Sequence, residues 1–337
     1  MGDQTPLLEV RGLKTYFFTR RGTVKAVDGV SFSLAPGETL AVVGESGSGK
    51  SVTALSILRL VPEPAGRIIG GEVFLDGQDV LKLKRREMRR VRGSRISMVL
   101  QDPMTSLNPA FSIGDQVGEA VRLHQGVGGG ELRRRIVEAL SRLKISSAEA
   151  RMADYPHQMS GGMRQRVCSA IALSCQPRLL IADEPTTSLD VTIQAQFLEL
   201  LREIQERSHI SIIFITHDFG IVAKMCDRVM VMYAGRAIET GSVRDIFNHP
   251  SHPYTQALLD SVPKLEERVG RLYSIEGQPP LLWKLPPGCL FAPRCPYTEA
   301  RCENEYPPSF TVAEGHTADC WRLEGAWQTH HSSVSRT

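Results

Sequence analysis

The sequence predicts an α/β fold built on a parallel sheet, and three observations carry that prediction. Short apolar runs at 39–43, 178–182, 210–215 and 228–233 alternate with amphipathic stretches of helical length, such as 52–60 and 191–206. That order places parallel strands between crossover helices. The first run leads straight into Gly44-Glu45-Ser46-Gly47-Ser48-Gly49-Lys50-Ser51, a glycine-rich turn between a strand and a helix. A mostly helical stretch, about 106–160, interrupts the alternation and reads as an insertion into the sheet core.

Taken from the N-terminus, 7–10, 26–34 and 39–43 alternate or run apolar, as short strands do. Residues 71–79 read as a strand pair around the turn dipeptide Asp76-Gly77. Within 114–151 the spacing of Ile136, Leu140 and Leu143 is helical, and the glycine tract at 126–130 breaks it. The apolar strand at 178–182 ends in Asp183-Glu184, and the helix 191–206 precedes the strands 210–215 and 228–233. Beyond Gly241 prolines recur and helix or strand periodicity fades. Four of the seven cysteines fall in this last part, and the tail after Trp321 is polar.

A chain of 337 residues accommodates one large domain with a smaller appendage, and a hydrophobic content of 42% marks it as globular. No apolar run approaches bilayer length, and residues 1–10 lack the basic-then-apolar pattern of a signal sequence. The expectation is a soluble, cytoplasmic-type protein that docks on a membrane component. A net charge of +3 is too small to argue for nucleic acid. The basic run from Lys82 to Arg95 reads first as a solvated helix face, and second as a contact for acidic lipid or an acidic partner.

The turn at 44–51 fits G-x-x-x-x-G-K-[ST] in full. Such a loop aims backbone N–H groups at the phosphates of a nucleoside triphosphate; Lys50 reaches the β- and γ-phosphates and the Ser51 hydroxyl helps hold Mg²⁺. Asp183, delivered to the sheet rim by a buried strand, suits Mg²⁺ held through its water shell. Glu184, one residue further, is placed to polarise the water that attacks the γ-phosphate. Ser160, Gly161 and Gly162 precede a helix and form an anion site from a hydroxyl, two N–H groups and a helix N-terminus.

In its order of motifs the chain resembles the ATP-binding cassette (ABC) ATPases. Met159-Ser160-Gly161-Gly162-Met163-Arg164-Gln165-Arg166 is similar to their signature sequence Leu-Ser-Gly-Gly-Gln. The resemblance makes Gln101 the glutamine that contacts Mg²⁺ and attacking water, His217 the switch histidine at the γ-phosphate, and Tyr16 the ring that stacks on adenine. Ser188-Leu189-Asp190 matches the loop that crosses the dimer interface. It implies a P-loop core over 5–245 with a RecA-like parallel sheet, an antiparallel β subdomain and an inserted helical subdomain. A Pro- and Cys-rich extension, 246–325, and a polar tail, 326–337, follow.

Two details resemble the ATPase subunits of oligopeptide and dipeptide importers: Met163 in the signature, and Pro250-Ser251-His252-Pro253-Tyr254-Thr255 followed by Ala257-Leu258-Leu259. The likeness implies ATP-driven peptide uptake at the cytoplasmic face of the membrane. The implied partners are a second ATPase, identical or not, two permeases and an extracytoplasmic solute-binding protein, without nucleic acid. Nickel, glutathione or sugar cargo, or a non-transport ABC ATPase, are the alternatives. Cys289, Cys295, Cys302 and Cys320 resemble a family motif that in some members holds a [4Fe–4S] cluster; thiolates suit zinc as well, and unligated thiols remain open. Cys168, Cys175 and Cys226 sit in apolar stretches and read as small core residues.

Overall fold

A computed structural model describes residues 5–187, 189–262 and 274–324; Ser188 and the tail 326–337 lie outside the described residues. The chain forms two compact units that do not follow chain order. Of the described residues, one gathers those up to Leu8, Leu34–Thr39 and Phe74–Ile215; the other gathers Glu9–Ser33, Leu40–Val73 and those from Thr216 onward.

Strands β1 (Leu8–Thr19) and β2 (Gly22–Leu34) extend beyond the apolar runs that predict them. Their extra length surrounds a polar turn, closed by the Thr19 hydroxyl donating to the Gly22 carbonyl at 2.8 Å. Arg11, Gly12, Lys14 and Thr15 on β1 and Thr23 and Lys25 on β2 interrupt the apolar runs and hide the extensions from a hydrophobicity reading. β3 (Thr39–Val43) is buried at every position and passes through 44–49 into α1 (Lys50–Ile57). β4 (Gly66–Leu75) lies beside β1. It turns back into β5 (Gln78–Asp79), with Leu75 opposite Gln78. Asp76 and Gly77 take φ of 48° and 75°, the paired left-handed conformation of a two-residue hairpin.

α2 (Arg85–Val91) buries Met88 and Val91 and exposes Arg85, Arg86, Arg89 and Arg90, the solvated face expected of the basic run. After β6 (Ile96–Val99) come α3 (Pro103–Ser106), α4 (Ile113–Gln125), α5 (Gly129–Arg142), α6 (Ala148–Arg151) and α7 (Gly161–Leu173). Ile113 and Val117, one turn apart on α4, pack with Ile136 and Leu140 of α5 and Val167 of α7. Gly126, at φ 66°, ends α4 where the glycine tract predicts a break. β7 (Leu179–Asp183), α8 (Val191–Ser208) and β8 (Ser211–Ile215) complete this unit. β6, β7 and β8 pair in parallel, with Val99 beside Ala182 and Ala182 beside Phe214.

In the other unit α9 (Phe219–Met225) precedes β9 (Arg228–Tyr233), which runs parallel to β3 with Val42 beside Met230. β10 (Arg236–Ser242) pairs antiparallel with β9. The fading periodicity after Gly241 predicts little regular structure, yet α10 (Val243–Asn248) and α11 (Pro253–Asp260) form there. They are too short to show a period, and caps define them: Ser242 accepts from the Asp245 N–H, and His252 Nδ1 from the Tyr254 N–H. α12 (Ala300–Asn304), β11 (Phe310–Ala313) and β12 (His316–Ala318) follow, and β12 pairs with β10. Among the described residues no helix is long and apolar enough to cross a membrane.

Candidate active site

The phosphate-type loop is shaped by backbone that only glycine can supply. A Cβ on Gly44 would lie 2.2 Å from the Met232 carbonyl oxygen, and one on Gly49 2.3 Å from that of Ala26. Both take left-handed φ, 146° and 104°. Lys50 is buried, and its ammonium donates to the carbonyls of Gly44 at 2.7 Å and Glu45 at 3.0 Å. Its charge is thus fixed over the inside of the loop. Ser46, Gly47 and Ser51 are exposed, whereas Ser48 is buried.

Two predicted partners share this unit. The Tyr16 hydroxyl donates to Asp28 at 2.6 Å, and Arg236 donates to the other carboxylate oxygen at 2.9 Å. Burial first, then the bond to Asp28, pushes the Tyr16 phenol up to about 12. Burial alone would raise Asp28, but the Tyr16 hydroxyl and the Arg236 guanidinium outweigh it and hold that carboxyl below its usual range. His217 is exposed at the turn after β8. Asp218 fixes that turn by accepting from the N–H groups of Gly220 and Ile221 at 2.8 and 3.3 Å.

In the other unit, β7 ends on buried Asp183, and Glu184 follows at φ 45°. A left-handed glutamate costs roughly 1–3 kcal/mol and persists only where its surroundings fix it. Here the Glu184 N–H donates to the Ile215 carbonyl at 2.9 Å. The Gln101 amide and the Thr187 hydroxyl donate to one carboxylate oxygen, Oε2, at 3.0 and 3.1 Å. The Val99–Ala182 pairing explains the first contact, since two further residues on each strand bring Gln101 opposite Glu184. Thr187 is the member that sequence reasoning misses; its position three residues beyond Glu184 is the only signal.

Ser160 caps α7, its hydroxyl accepting from the Met163 N–H at 3.4 Å, and Gly161 and Gly162 open the helix. A Cβ on Gly162 would approach the Ile193 side chain to 2.7 Å, so the glycine lets α7 pack against α8. Ser160, Gly161, Gly162 and Asp190 line one cavity of about 560 Å³, with Lys144 and Arg166 also on its wall. A helix N-terminus flanked by two bases suits an anion.

The four C-terminal thiols are all free and partly buried. A Cβ on Gly288 would meet the Cys302 carbonyl at 2.2 Å, and the Cys289 N–H donates to that oxygen at 2.7 Å, so the two segments touch. Burial pushes Cys289 up to about 11, and the nearby Cys302 and Cys320 thiols add to it. Burial also raises Cys295, which feels Cys302, and Cys320, which feels Cys295 and Cys302. Cys289, Cys295 and Cys320 thus each feel the charge of Cys302. Among the described residues, however, no group of three or more His, Cys, Asp or Glu is placed to hold a metal ion. Cys168 and Cys226 pack against the two cores, and burial raises both thiols, Cys168 to about 12; Cys175 is raised likewise.

A phosphate-type loop between a parallel strand and a helix, with an acidic strand end and a capped Ser-Gly-Gly turn, defines a nucleotide-binding ATPase of the cassette class. Residues 27–187 match the ABC transporter family, and 238–302 match the oligopeptide/dipeptide transporter C-terminal region. A shorter match, 153–223, is to an AAA domain described as a putative AbiEii toxin of a type IV toxin–antitoxin system. The oligopeptide transport ATP-binding protein AppD of Bacillus subtilis is 49% identical over 96% of this chain and 99% of its own length. The dipeptide transport ATP-binding protein DppD of the same organism is 50% identical over 94% of each. Among solved structures, a dimeric ATP-binding cassette in a post-hydrolysis state with ADP and Pi covers 70% of this chain and 99% of its own, at 25% identity and TM-score 0.63. CbiO1 of Clostridium perfringens, part of an ABC transporter complex, covers 72% and 91% at 31% identity and TM-score 0.62. The chain belongs to the ABC transporter ATP-binding proteins, in the group that carries the oligopeptide/dipeptide C-terminal region.

Proposed function

We propose that this chain is the ATP-hydrolysing subunit of a peptide importer. The observation that carries the enzymatic part is the Glu184 carboxylate, held in a left-handed turn by Gln101 and Thr187 at the end of β7. A carboxylate oriented by two donors at the end of a parallel strand is suited to accept a proton from water. Lys50 and the loop N–H groups bind the β- and γ-phosphates, Tyr16 stacks on adenine, and His217 contacts the γ-phosphate. Ser51, Asp183 and Gln101 offer the hard oxygen donors that suit Mg²⁺, which supplies charge neutralisation at the phosphates. Ser160, Gly161, Gly162 and Asp190 grip an ATP bound by a second ATPase subunit, identical or not. The basic walls of their cavity support that reading.

The peptide cargo rests on relatives about half identical along nearly the whole chain, named for oligopeptide and dipeptide transport. Two membrane permeases and an extracytoplasmic solute-binding protein complete the assembly, with this subunit at the cytoplasmic face. Exposed Leu100, Met104, Phe111 and Tyr155, all in one unit, support a protein surface docked there. The four thiols are of the residue type that an iron–sulfur cluster takes, but among the described residues they are not placed to hold one, so the cluster rests on the cysteine motif alone; iron and sulfide assays with visible absorbance on anaerobically purified protein test it.

Glu184→Gln tests the enzymatic role. ATP binding should persist, while turnover falls about 100-fold or more. Undiminished hydrolysis would remove Glu184 from this role.

A further inference from the structure

Arg294 lies in the C-terminal extension, one residue before Cys295, yet its guanidinium grips the phosphate loop. Its side chain is only 3% exposed. Nη1 donates to Glu45 Oε2 at 2.7 Å and Nη2 to Glu45 Oε1 at 3.0 Å, a two-pronged pair. The remaining donors are also engaged: Nε bonds the Glu276 carbonyl at 3.0 Å, Nη2 the Ile275 carbonyl at 3.3 Å, and Nη1 the Tyr233 hydroxyl at 3.3 Å. A rigid fork held on so many sides transmits position and does not merely add charge.

Glu45 is held from its other side as well. Its N–H donates to the hydroxyl of fully buried Tyr254 at 2.8 Å, and its carbonyl accepts from Lys50. Both clamps on the second residue of the loop therefore come from chain beyond residue 250. Pro279, Leu281 and Trp283 of the extension also wall a cavity of about 240 Å³ against Glu45, Ser46 and Gly47.

We infer that Arg294 is a positioning residue for nucleotide binding: through Glu45 it sets the phosphate loop in its binding shape before ATP arrives. The inference rests on the ATPase reading above. A loop that must order itself on binding loses affinity by the ordering cost, while the chemistry at saturation is unaffected. The guanidinium acts from outside the loop and touches no phosphate itself.

The test measures Mg-ATP affinity of the full-length chain and ATPase kinetics of the assembled transporter for wild type, Arg294→Ala and Arg294→Lys. The expected result for Arg294→Ala is a roughly tenfold rise in Kd and KM with kcat within about twofold of wild type. Arg294→Lys, which keeps the charge and loses the fork, should fall between the two. Glu45→Gln combined with Arg294→Lys should be milder than the product of the single effects, and a fully multiplicative loss would count against action through Glu45. A purely structural role would lower the active fraction and kcat and leave KM unchanged, which would overturn the inference. So would a Kd within twofold of wild type in Arg294→Ala, or in Arg294→Lys if the alanine variant does not fold. Wild-type protein that fails to bind ATP would sink the ATPase reading and this inference together; normal wild-type binding with unaltered variants would sink only the inference.

Discussion

The two glycine-rich turns of this chain are built to opposite specifications. In the loop at 44–51, Gly44, Ser48, Gly49 and Lys50 are buried, and Glu45 is pinned by Tyr254 and Arg294. In the turn at 160–162, Ser160 and Gly161 are exposed, and the Ser160 side chain makes a 3.4 Å cap. The first turn has its shape fixed by folding. The second presents a helix N-terminus to whatever lies outside it, as the proposed grip on another subunit's ATP requires. Both read as anion sites from sequence, and the difference between them is one of support.

The sharpest way to break the comparison is to add one methyl group to each turn. Gly49→Ala forces a Cβ to 2.3 Å from a backbone oxygen at φ 104°, where nothing flexible can yield. ATP affinity should fall by about 100-fold or more. Gly161→Ala meets nothing within 4 Å and should leave thermal stability unchanged or raised by roughly 0.5–1 kcal/mol, because alanine favours helix over glycine. Calorimetric titration with Mg-ATP and thermal melting on both variants check the contrast. Equal losses would mean that the two turns are equally constrained.

Acid should separate the two turns next. His252 caps α11, the helix that carries Tyr254, and burial lowers it from 6.5 to about 4 despite the nearby Glu239 carboxylate. The Glu239 carboxylate is fully occupied, accepting from the N–H groups of Ser251 and His252 and bonded to His316 Nε2 at 2.8 Å. The folded chain refuses a proton that the unfolded chain binds, so stability falls as pH drops through 6.5 and levels off below about 4. The full drop is on the order of 3 kcal/mol. His252→Asn keeps a capping acceptor without the titration and should flatten this slope in urea unfolding. Parallel slopes for variant and wild type would acquit His252. No comparable group caps α7, whose cap is the Ser160 hydroxyl.

This asymmetry also explains which features are legible in the sequence. Gly44 to Ser51, Asp183, Glu184 and the Ser-Gly-Gly turn announce themselves because each needs particular residue types at fixed spacing. β6 and β7 make Gln101 and Glu184 meet, but the sequence reading marks only the second of these strands, so their contact comes from the parallel pairing seen in the fold. The supports are silent. Arg294 stands 249 residues from Glu45 and Tyr254 stands 209 away, and nothing local marks either as a partner of the loop. The same blindness applies to α10 and α11, where side-chain caps replace a readable period. The long β1–β2 ribbon escapes because Arg11, Gly12, Lys14 and Thr15 on β1 and Thr23 and Lys25 on β2 interrupt the apolar pattern.

The smallest expected effect probes the weaker turn. Removing the Ser160 hydroxyl deletes a cap already stretched to 3.4 Å, worth about 1 kcal/mol at most typical caps and less at this length. It also deletes the one side-chain donor of the turn, while the N–H groups of Gly161 and Gly162 and the bases Lys144 and Arg166 remain around the cavity. Ser160→Ala should therefore cut ATPase turnover of the assembled transporter by about tenfold, the loss of one hydrogen bond to a charged group. Mg-ATP affinity of the isolated chain should stay within twofold, since on this reading Ser160 serves the ATP of the other subunit. A matching loss of affinity in the isolated chain would place Ser160 at this chain's own nucleotide, and the two turns would then be parts of one site within a single molecule.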